Sequence, residues 1–461
     1  MNAGTNMKQD DKIFYHHLAV KLRDDFVQAG IHENGGNISA VKDESALWCK
    51  ILEQFPKLQI GKLFTSLSAE NITQLINKGR QADPLYKPVN LLAYYRILCT
   101  EETNPDELIK VLLGFEWVEL AYIQGRRNSP SVYMNAGNDL LAQQYLDAAP
   151  AGIDAKYAWQ KKGGKGKGQI KFIDIEQGWQ SDHELINIKT LPLTGISQKK
   201  FSSHGTAVFG IIMMKENNTV GTGIVPEATG YVISQWRPDG SPNEADAILA
   251  AISYLRYGDI ILLESQSFHP DSGNKLWPVE IQEATFQVIR LATAIGIIVI
   301  EAAGNGDLYT ATGNDLDLFT IDGKQVLWPG SNHFKDSGAI VVAAASQHSP
   351  HTRIMGSNYG SRVNCYASGE PAGGYEKKIN GTSGASAIIA GAVIAMQSIC
   401  ETEYGIRIGA KQMREIVSNE SYATTSAYGH AVDKIGVMPD LKKIIDNYLT
   451  GSSVISRETC I

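Results

Sequence analysis

The sequence predicts an α/β protein: a parallel sheet flanked by helices, preceded by a helical stretch and a small α+β module. Three observations lead there. From about residue 150 onward, short apolar runs ("IKFID", "GYVISQ", "DIILLE", "GIIVIEA", "GAIVVAAA") alternate with segments of helix length. Runs that are apolar at successive positions suit strands covered on both faces, as in a parallel sheet with helical crossovers. Ahead of them, the Gly-, Pro- and Asn-marked stretch "GRRNSPSVYMNAGNDLLAQQYLDAAP" separates this region from a smaller one.

Residues 1 to 55 are predicted to be a helical N-terminal extension. There "KIFYHHLAVKLRDDFVQAG" places Phe14, Leu18, Leu22 and Phe26 at four-residue intervals. Residues 56 to 125 form the α+β module. "LLAYYRIL" and "EWVELAYI" are strands around the helix "NPDELIKVLLG", which has Asn104 as N-cap, Pro105 at its first position, Glu107 completing a capping box and Gly114 as its stop. Residues 126 to 150 are a linker, 151 to 450 the main domain and 451 to 461 a tail. No internal repeat is visible.

Composition narrows the function. A chain of 461 residues with 43% hydrophobic and 20% charged residues is an ordinary globular protein with room for a large core. A net charge of −7 argues against a partner with a phosphate backbone. Cys49, Cys99, Cys365, Cys400 and Cys460 are odd in number and widely spaced, which reads as free thiols in a reducing compartment. The N-terminus has no apolar signal core, and the longest apolar candidate, "LATAIGIIVIEAAG", is interrupted by Glu301. The expectation is a cytoplasmic protein without a membrane span. "KKGGKGKGQ" (161–169) looks like a phosphate loop, but it precedes a strand and ends in Gly-Gln, so it reads as a basic junction.

Four segments of the main domain each end an element with a chemically able residue: Asp174 in "IKFIDIEQGW", His204 in "FSSHGTAVFGII", Asn305 in "VIEAAGNGD" and Ser383 in "NGTSGASAIIAG". Singly, these read as a turn carboxylate, a capping histidine, a turn amide and a close-packed helix start. Together they supply acyl transfer. Serine needs a base to take its proton, and the imidazole needs a carboxylate to fix its tautomer. The oxyanion needs aligned donors, here the Asn305 amide and the Ser383 N–H at a helix N-terminus. Groups at the carboxyl ends of parallel strands converge on one crevice.

The order Asp, His, Asn, Ser and the motifs "HGTAV", "AAGNG" and "NGTSGASAIIAG" resemble the subtilisin-like serine proteases, the subtilases; "GIVPEA" and "SNYGSRVNCYASGE" are similar to further recurrent segments. The resemblance covers about residues 150 to 450. It implies a sheet of the seven-stranded type and a serine endopeptidase, with Ser383 as nucleophile, His204 as general base, Asp174 orienting it and Asn305 in the oxyanion hole. It also implies a peptide substrate held as an extended strand between Glu264, Ser265 and Gln266 on one side and Ala302, Ala303 and Gly304 on the other. No cofactor is required. Calcium, frequent in the family, is a candidate for the acids of "NGDLYTATGNDLDLFTIDG", Asp307, Asp315, Asp317 and Asp322, although their spacing fits no defined loop.

The chain departs from the family in two places. Gly384 follows the serine, which removes a packing side chain and eases a strained turn at Ser383. The carboxylate is expected to be followed by a small residue and then Gly, whereas Asp174 is followed by "IEQG"; Glu176 is read as facing solvent, the alternative being an inward Glu176 whose charge would push one of the two carboxyl pKa values up and shift the pH optimum. Sedolisins, a related family, carry Glu for the His and Asp for the Asn, so His204 and Asn305 disfavour that variant. The α+β module resembles the second half of subtilase propeptides, which implies an intramolecular inhibitor with residues 125 to 150 lying across the site and open to self-cleavage. Two alternatives stay open: a processing peptidase or macrocyclase using the same acyl-enzyme, and a catalytically silent peptide-binding scaffold.

Overall fold

A computed structural model describes residues 17–26, 45–124, 127–128, 132–133, 140–217, 221–370, 372–373 and 378–449. The chain divides into two compact units, one of Met1–Thr73 with Val89–Arg126, the other of Gln74–Pro88 with Arg127–Ile461. The expected tail, 451–461, lies outside the described residues.

The smaller unit is built on strand β1 (His17–Leu22), helix α1 (Ser45–Gln54), β2 (Gln59–Lys62), α2 (Ala69–Ala82, which runs on into the second unit), β3 (Tyr94–Leu98), α3 (Pro105–Leu113) and β4 (Val118–Ile123). Its antiparallel sheet has the order β2-β3-β1-β4. Helix α3 starts as its sequence predicts: the Asn104 side chain accepts from the N–H groups of Asp106 and Glu107, with Pro105 at the first position and Gly114 closing the end.

The expectation of a separate helical extension over 1 to 55 is corrected here. Residues 17–22 are the strand between β3 and β4, and within the described part of that stretch the α-helix is α1. A four-residue interval is also twice the strand period of two, so Leu18 and Leu22 satisfy both patterns. The alternation Leu18, Val20, Leu22 points into a core with Trp48, Tyr95 and Trp117, and long-range pairing on both edges overrides the local rhythm. The predicted strand-helix-strand unit therefore has β1 inserted between its two strands.

The larger unit begins with two short strands, β5 (Arg127–Asn128) and β6 (Val132–Tyr133), and a short helix α4 (Ala155–Ala158). Then come β7 (Phe172–Glu176), β8 (Ile188–Thr190), α5 (Ser202–Met213), β9 (Gly230–Ser234), α6 (Glu244–Tyr254), β10 (Ile260–Leu263), β11 (Gln266–Phe268), β12 (Leu276–Pro278), α7 (Glu283–Ala294) and β13 (Ile298–Ala302). A small hairpin of β14 (Thr320–Ile321) and β15 (Lys324–Gln325) is followed by β16 (Ile340–Ala345), β17 (Cys365–Ser368), β18 (Ala372–Gly373), β19 (Lys378–Ile379) and α8 (Gly381–Ile399). Helix α9 (Ala410–Val417), β20 (Ala423–Thr425) and β21 (Val437–Pro439) complete the main layers.

The large sheet has the order β20-β21-β17-β16-β13-β10-β7-β9-β8, parallel throughout except for β20. It is wider than the seven strands expected. Every predicted apolar run is one of its strands. After β7 the chain builds β8 and β9 on one side, then returns to build β10 and β13 on the other. In an open parallel sheet, the carboxyl ends of the strands at such a reversal, here β7 and β10, are where a ligand is received.

Helix α8 packs on the sheet and against α5, and Thr382 to Ile399 are buried all round. The longest apolar run is here and not in "LATAIGIIVIEAAG": helical residues Gly381–Tyr404 are long and apolar enough to cross a membrane, yet Thr382 to Cys400 lie inside the core. An all-apolar helix needs burial on every side, and a central core helix obtains it from protein. Elsewhere in the larger unit, Arg362 donates through Nε and Nη2 to the two oxygens of Glu280 at 2.7 and 2.8 Å, with both groups out of water. Replacing one partner strands the other charge. Arg362→Ala is expected to cost about 3–5 kcal/mol in denaturant unfolding, and replacing both Arg362 and Glu280 with apolar residues of similar size much less.

Candidate active site

The site is assembled on two parallel strands and the first turns of two helices. Strand β7 carries Asp174 and Glu176 on one face, and both are buried, at 0% and 3% exposed. His204 sits at the third position of α5, also 3% exposed, and its Nδ1 hydrogen bonds to Glu176 Oε1. The other Glu176 oxygen accepts from the N–H of Gln177 at 3.1 Å. Gly205 makes the approach possible: a Cβ there would stand 2.5 Å from the Gly178 carbonyl oxygen and 3.2 Å from Glu176 Cγ.

This overturns two expectations. Glu176 does not face solvent, and the carboxylate on the imidazole is Glu176 rather than Asp174. Asp174 lies two residues back along the strand, about 6–7 Å below the crevice, where a short side chain cannot reach the helix. Both of its oxygens are buried with no hydrogen-bond partner among the described residues. Burial, with the nearby charges of Glu176 and Glu264, holds Asp174 well above the usual carboxylate range and so favours its neutral form. The signal was present in the sequence: a carboxylate, one residue and then glycine is the spacing of Glu176, Gln177 and Gly178.

On His204, burial disfavours the imidazolium, but the charge and hydrogen bond of Glu176, with Glu264 further off, outweigh it and raise the pKa. Nε2 is buried and has no partner among the described residues. Ser383, also fully buried, is the third residue of α8, and its Oγ is likewise without a partner among the described residues. The backbone N–H at this position has no acceptor within the helix and points outward at the positive end of the dipole. The left-handed residue here is Gly381 (φ +70°), not Gly384, and a Cβ on it would stand 2.5 Å from Asn305 Oδ1. Asn305 is tied to the helix start, its Oδ1 accepting from Thr382 N–H at 2.9 Å and Thr382 Oγ1 at 3.0 Å. With the oxygen engaged, the amide NH₂ is the free end, as an oxyanion donor requires.

The six expected substrate contacts divide. Glu264 turns its side chain into the buried site, where its Oε1 accepts from Ser386 Oγ at 2.8 Å, and Ser265 Oγ bonds to Glu244. Gln266 lies in β11, which pairs antiparallel with β12 on one edge and with β5, from the expected linker, on the other. Its Oε1 also accepts from Asn305 N–H at 2.9 Å. Ala302 is paired with Val342 inside the sheet. The carbonyls of Ala303 and Gly304 accept from Asn358 Nδ2 and N–H at 2.7 and 3.0 Å. This side is therefore braced by Asn358, a residue that sequence reading quoted without a role. Linker residues 129–131 and 134–139 lie outside the described residues.

The acids considered for calcium do not gather into a coordinating set. Asp307 Oδ1 accepts from the N–H groups of Tyr309 and Thr310, Lys434 Nζ reaches Asp315 and Asp317 at 3.3 and 3.2 Å, and Asp322 holds the β14–β15 turn at φ 51°. Among the described residues no cluster of three or more His, Cys, Asp or Glu is placed to hold a metal.

The sequence profile of the subtilase family matches residues 152–437. An intracellular serine protease of Paenibacillus polymyxa is 24% identical over 280 residues, which cover 57% of this chain and 77% of that protein. Subtilisin NAT of Bacillus subtilis subsp. natto is 25% identical over 271 residues, 56% of this chain and 64% of that one. Among solved structures, fervidolysin from Fervidobacterium pennivorans, a keratinolytic enzyme related to subtilisin, superposes with a TM-score of 0.52 at 14% identity over 96% of this chain and 62% of its own. That likeness establishes a subtilisin-like fold.

The two carboxyls of β7 are separable by experiment. Glu176→Gln is expected to slow modification of Ser383 by a fluorophosphonate about 10³–10⁴-fold, because the imidazole loses its orienting acceptor. Asp174→Asn is expected to change it less than about tenfold, since that carboxyl is already neutral. It should also alter stability. Unfolded Asp ionises near pH 4 while folded Asp174 does not, so the wild-type fold loses stability as pH rises above about 4 until Asp174 itself ionises. Urea melts at several pH values should show that loss diminished in Asp174→Asn.

Proposed function

This chain belongs to the subtilase family of serine peptidases, and we propose that it acts as an endopeptidase through Ser383, His204 and Glu176. The observation that carries the reading is the buried contact between Glu176 and His204 Nδ1, which leaves Nε2 as the basic nitrogen. Ser383 Oγ attacks the substrate carbonyl as its proton passes to His204 Nε2, and Glu176 balances the imidazolium without taking a proton. The oxyanion that forms is met by the Asn305 amide and the Ser383 N–H. His204 then returns the proton to the leaving amine, and water releases the acyl group by the same route.

The substrate would lie as an added strand on β11, so that affinity comes from the main chain and tolerates sequence. In the intact chain β5 pairs with that edge, and β6 pairs with β19, the strand just before α8. This supports regulation by the chain's own N-terminal part, which must leave β11 before a substrate binds. Similarity to an enzyme named as intracellular supports action inside the cell.

Fluorophosphonate labelling tests the chemistry. Mass spectrometry should place the adduct on Ser383 and find none in Ser383→Ala. Products from peptide substrates should carry the added mass of water, and cyclised products lacking it would overturn hydrolysis in favour of amine capture. If the linker is a substrate in cis, wild-type chain should shorten on standing near residues 125 to 150, while Ser383→Ala stays intact.

The acid side of the pH profile follows from His204. Catalysis needs the imidazole neutral, and its pKa is raised, so activity should fall as pH drops through a value above about 6.5. Glu176→Gln removes the main raising influences, and the residual activity of that variant should persist to lower pH.

A further inference from the structure

Glu264 has no part in the chemistry described so far, yet it stands beside His204, Glu176 and Ser383. It follows β10 directly and is 2% exposed. The register that pairs Leu262 with Asp174 and Leu263 with Ile175 brings Glu264 alongside Glu176 on the neighbouring strand. From α8, Ser386 Oγ donates to its Oε1 at 2.8 Å. Ser383 precedes Ser386 by three residues on the same helix face, so its hydroxyl borders the same carboxyl. The charged and polar groups facing Glu264 are thus Asp174 and Glu176 from β7, His204 from α5, and Ser383 and Ser386 from α8.

Besides the two oxygens of Asp174, three polar atoms here are buried and without a hydrogen bond among the described residues: Ser383 Oγ, His204 Nε2 and Glu264 Oε2. The hydroxyl carries one proton and has two acceptors to choose between. A hydroxyl hydrogen bonds more strongly to an ionised carboxylate than to a neutral carboxyl or imidazole.

We propose that Glu264 is a second catalytic carboxyl, whose neutral form leaves the Ser383 proton to His204 and whose ionised form takes that hydrogen bond and switches the nucleophile off. In the neutral form the Glu264 O–H donates to a lone pair of Ser383 Oγ, and the Ser383 O–H points at His204 Nε2. On attack, the Ser383 proton moves to Nε2 and Glu264 keeps its own, so no further reactant is needed. In the ionised form the Ser383 O–H turns to the carboxylate and the imidazole has no proton within reach.

The switch falls in an accessible range. Burial pushes Glu264 up to about 8, with His204, Ser386 and Ser383 pulling the other way and Glu176 adding to the rise. Ser383 is close enough to favour the carboxylate but makes no hydrogen bond of normal geometry to it. The proposal rests on the peptidase reading.

The test uses the full chain and follows the rate of Ser383 modification by a fluorophosphonate from about pH 5 to about pH 10. Wild type should show an alkaline decline near pH 8, steepening to about tenfold per pH unit, and Glu264→Gln should lack it. Ser386→Ala removes a hydrogen bond that favours the ionised form, so it should move the decline to higher pH. Infrared difference spectra, which do not depend on activity, should show a neutral-carboxyl band lost over the same pH range and missing in Glu264→Gln. An alkaline decline unchanged in Glu264→Gln, or moved to lower pH in Ser386→Ala, would overturn the proposal. If Glu264→Gln does not fold, the Ser386→Ala shift and the wild-type infrared titration decide. Wild type that reacts with no alkaline decline overturns this proposal alone; wild type that never reacts overturns the peptidase reading and the proposal with it.

Discussion

A carboxylate or an imidazolium taken out of water alone costs several kcal/mol even after the protein relaxes around it. Glu176 and His204 are both almost fully buried and touch each other, so each supplies the partner that makes the other's burial tolerable. The contact also acts on the carboxyls near it. Three buried carboxyls, Asp174, Glu176 and Glu264, surround a single imidazole, so there is one candidate cation for three candidate anions. Glu176 holds the hydrogen bond to that cation. Asp174 and Glu264, which have no ion-pair partner among the described residues, are pushed toward the neutral form by burial and by the charge of Glu176. The direction of the imidazole follows too, because Nδ1 is committed and Nε2 is left facing the crevice.

The fold places this contact where it can act. β7 and β10 are adjacent strands on either side of the reversal in strand order, and their ends carry Glu176 and Glu264 in register. The helices that supply His204 and Ser383 pack against each other, so the imidazole and the hydroxyl are fixed by one core. Small residues let these elements close: Gly205 admits the turn at Gly178, and the left-handed Gly381 lets the start of α8 meet Asn305. The length of apolar helix behind Ser383 anchors that first turn, which would otherwise fray.

How far the sequence exposes this arrangement depends on the range of each interaction. His204, Asn305 and Ser383 are legible because each lies in a local motif, and the helix cap at Asn104 and the apolar strands of the large sheet are local as well. The exchange of Asp174 for Glu176 was missed because the choice depends on depth along β7: an aspartate looks the more orthodox partner until the strand end is located. Strand β1 was read as a helix because Leu18 and Leu22 fit two periods, and its neighbours β3 and β4 are more than seventy residues away in sequence. Glu264 was assigned to the substrate edge from its neighbours in sequence, while its partners, Ser386 and Glu176, come from other parts of the chain. Local signals give chemistry and element type; which of two carboxyls faces a cleft is a property of packing.

The pairing of β5 with β11 adds a constraint on any substrate. Two residues of backbone pairing are weak by themselves, but a tethered segment competes at the effective concentration of its linker, in the millimolar range for short connections. A free peptide reaching the same edge competes against that effective concentration, each weighted by its own affinity for β11. On the proposed reading, cutting the chain between β5 and the main domain would change the competitor from a tethered strand to a dissociable one, and the same edge would open without any rearrangement of Glu176, His204 or Ser383. Inhibition and activity would then differ by connectivity alone, which is compatible with a site in which Glu176 and His204 Nδ1 are already in contact before any substrate arrives.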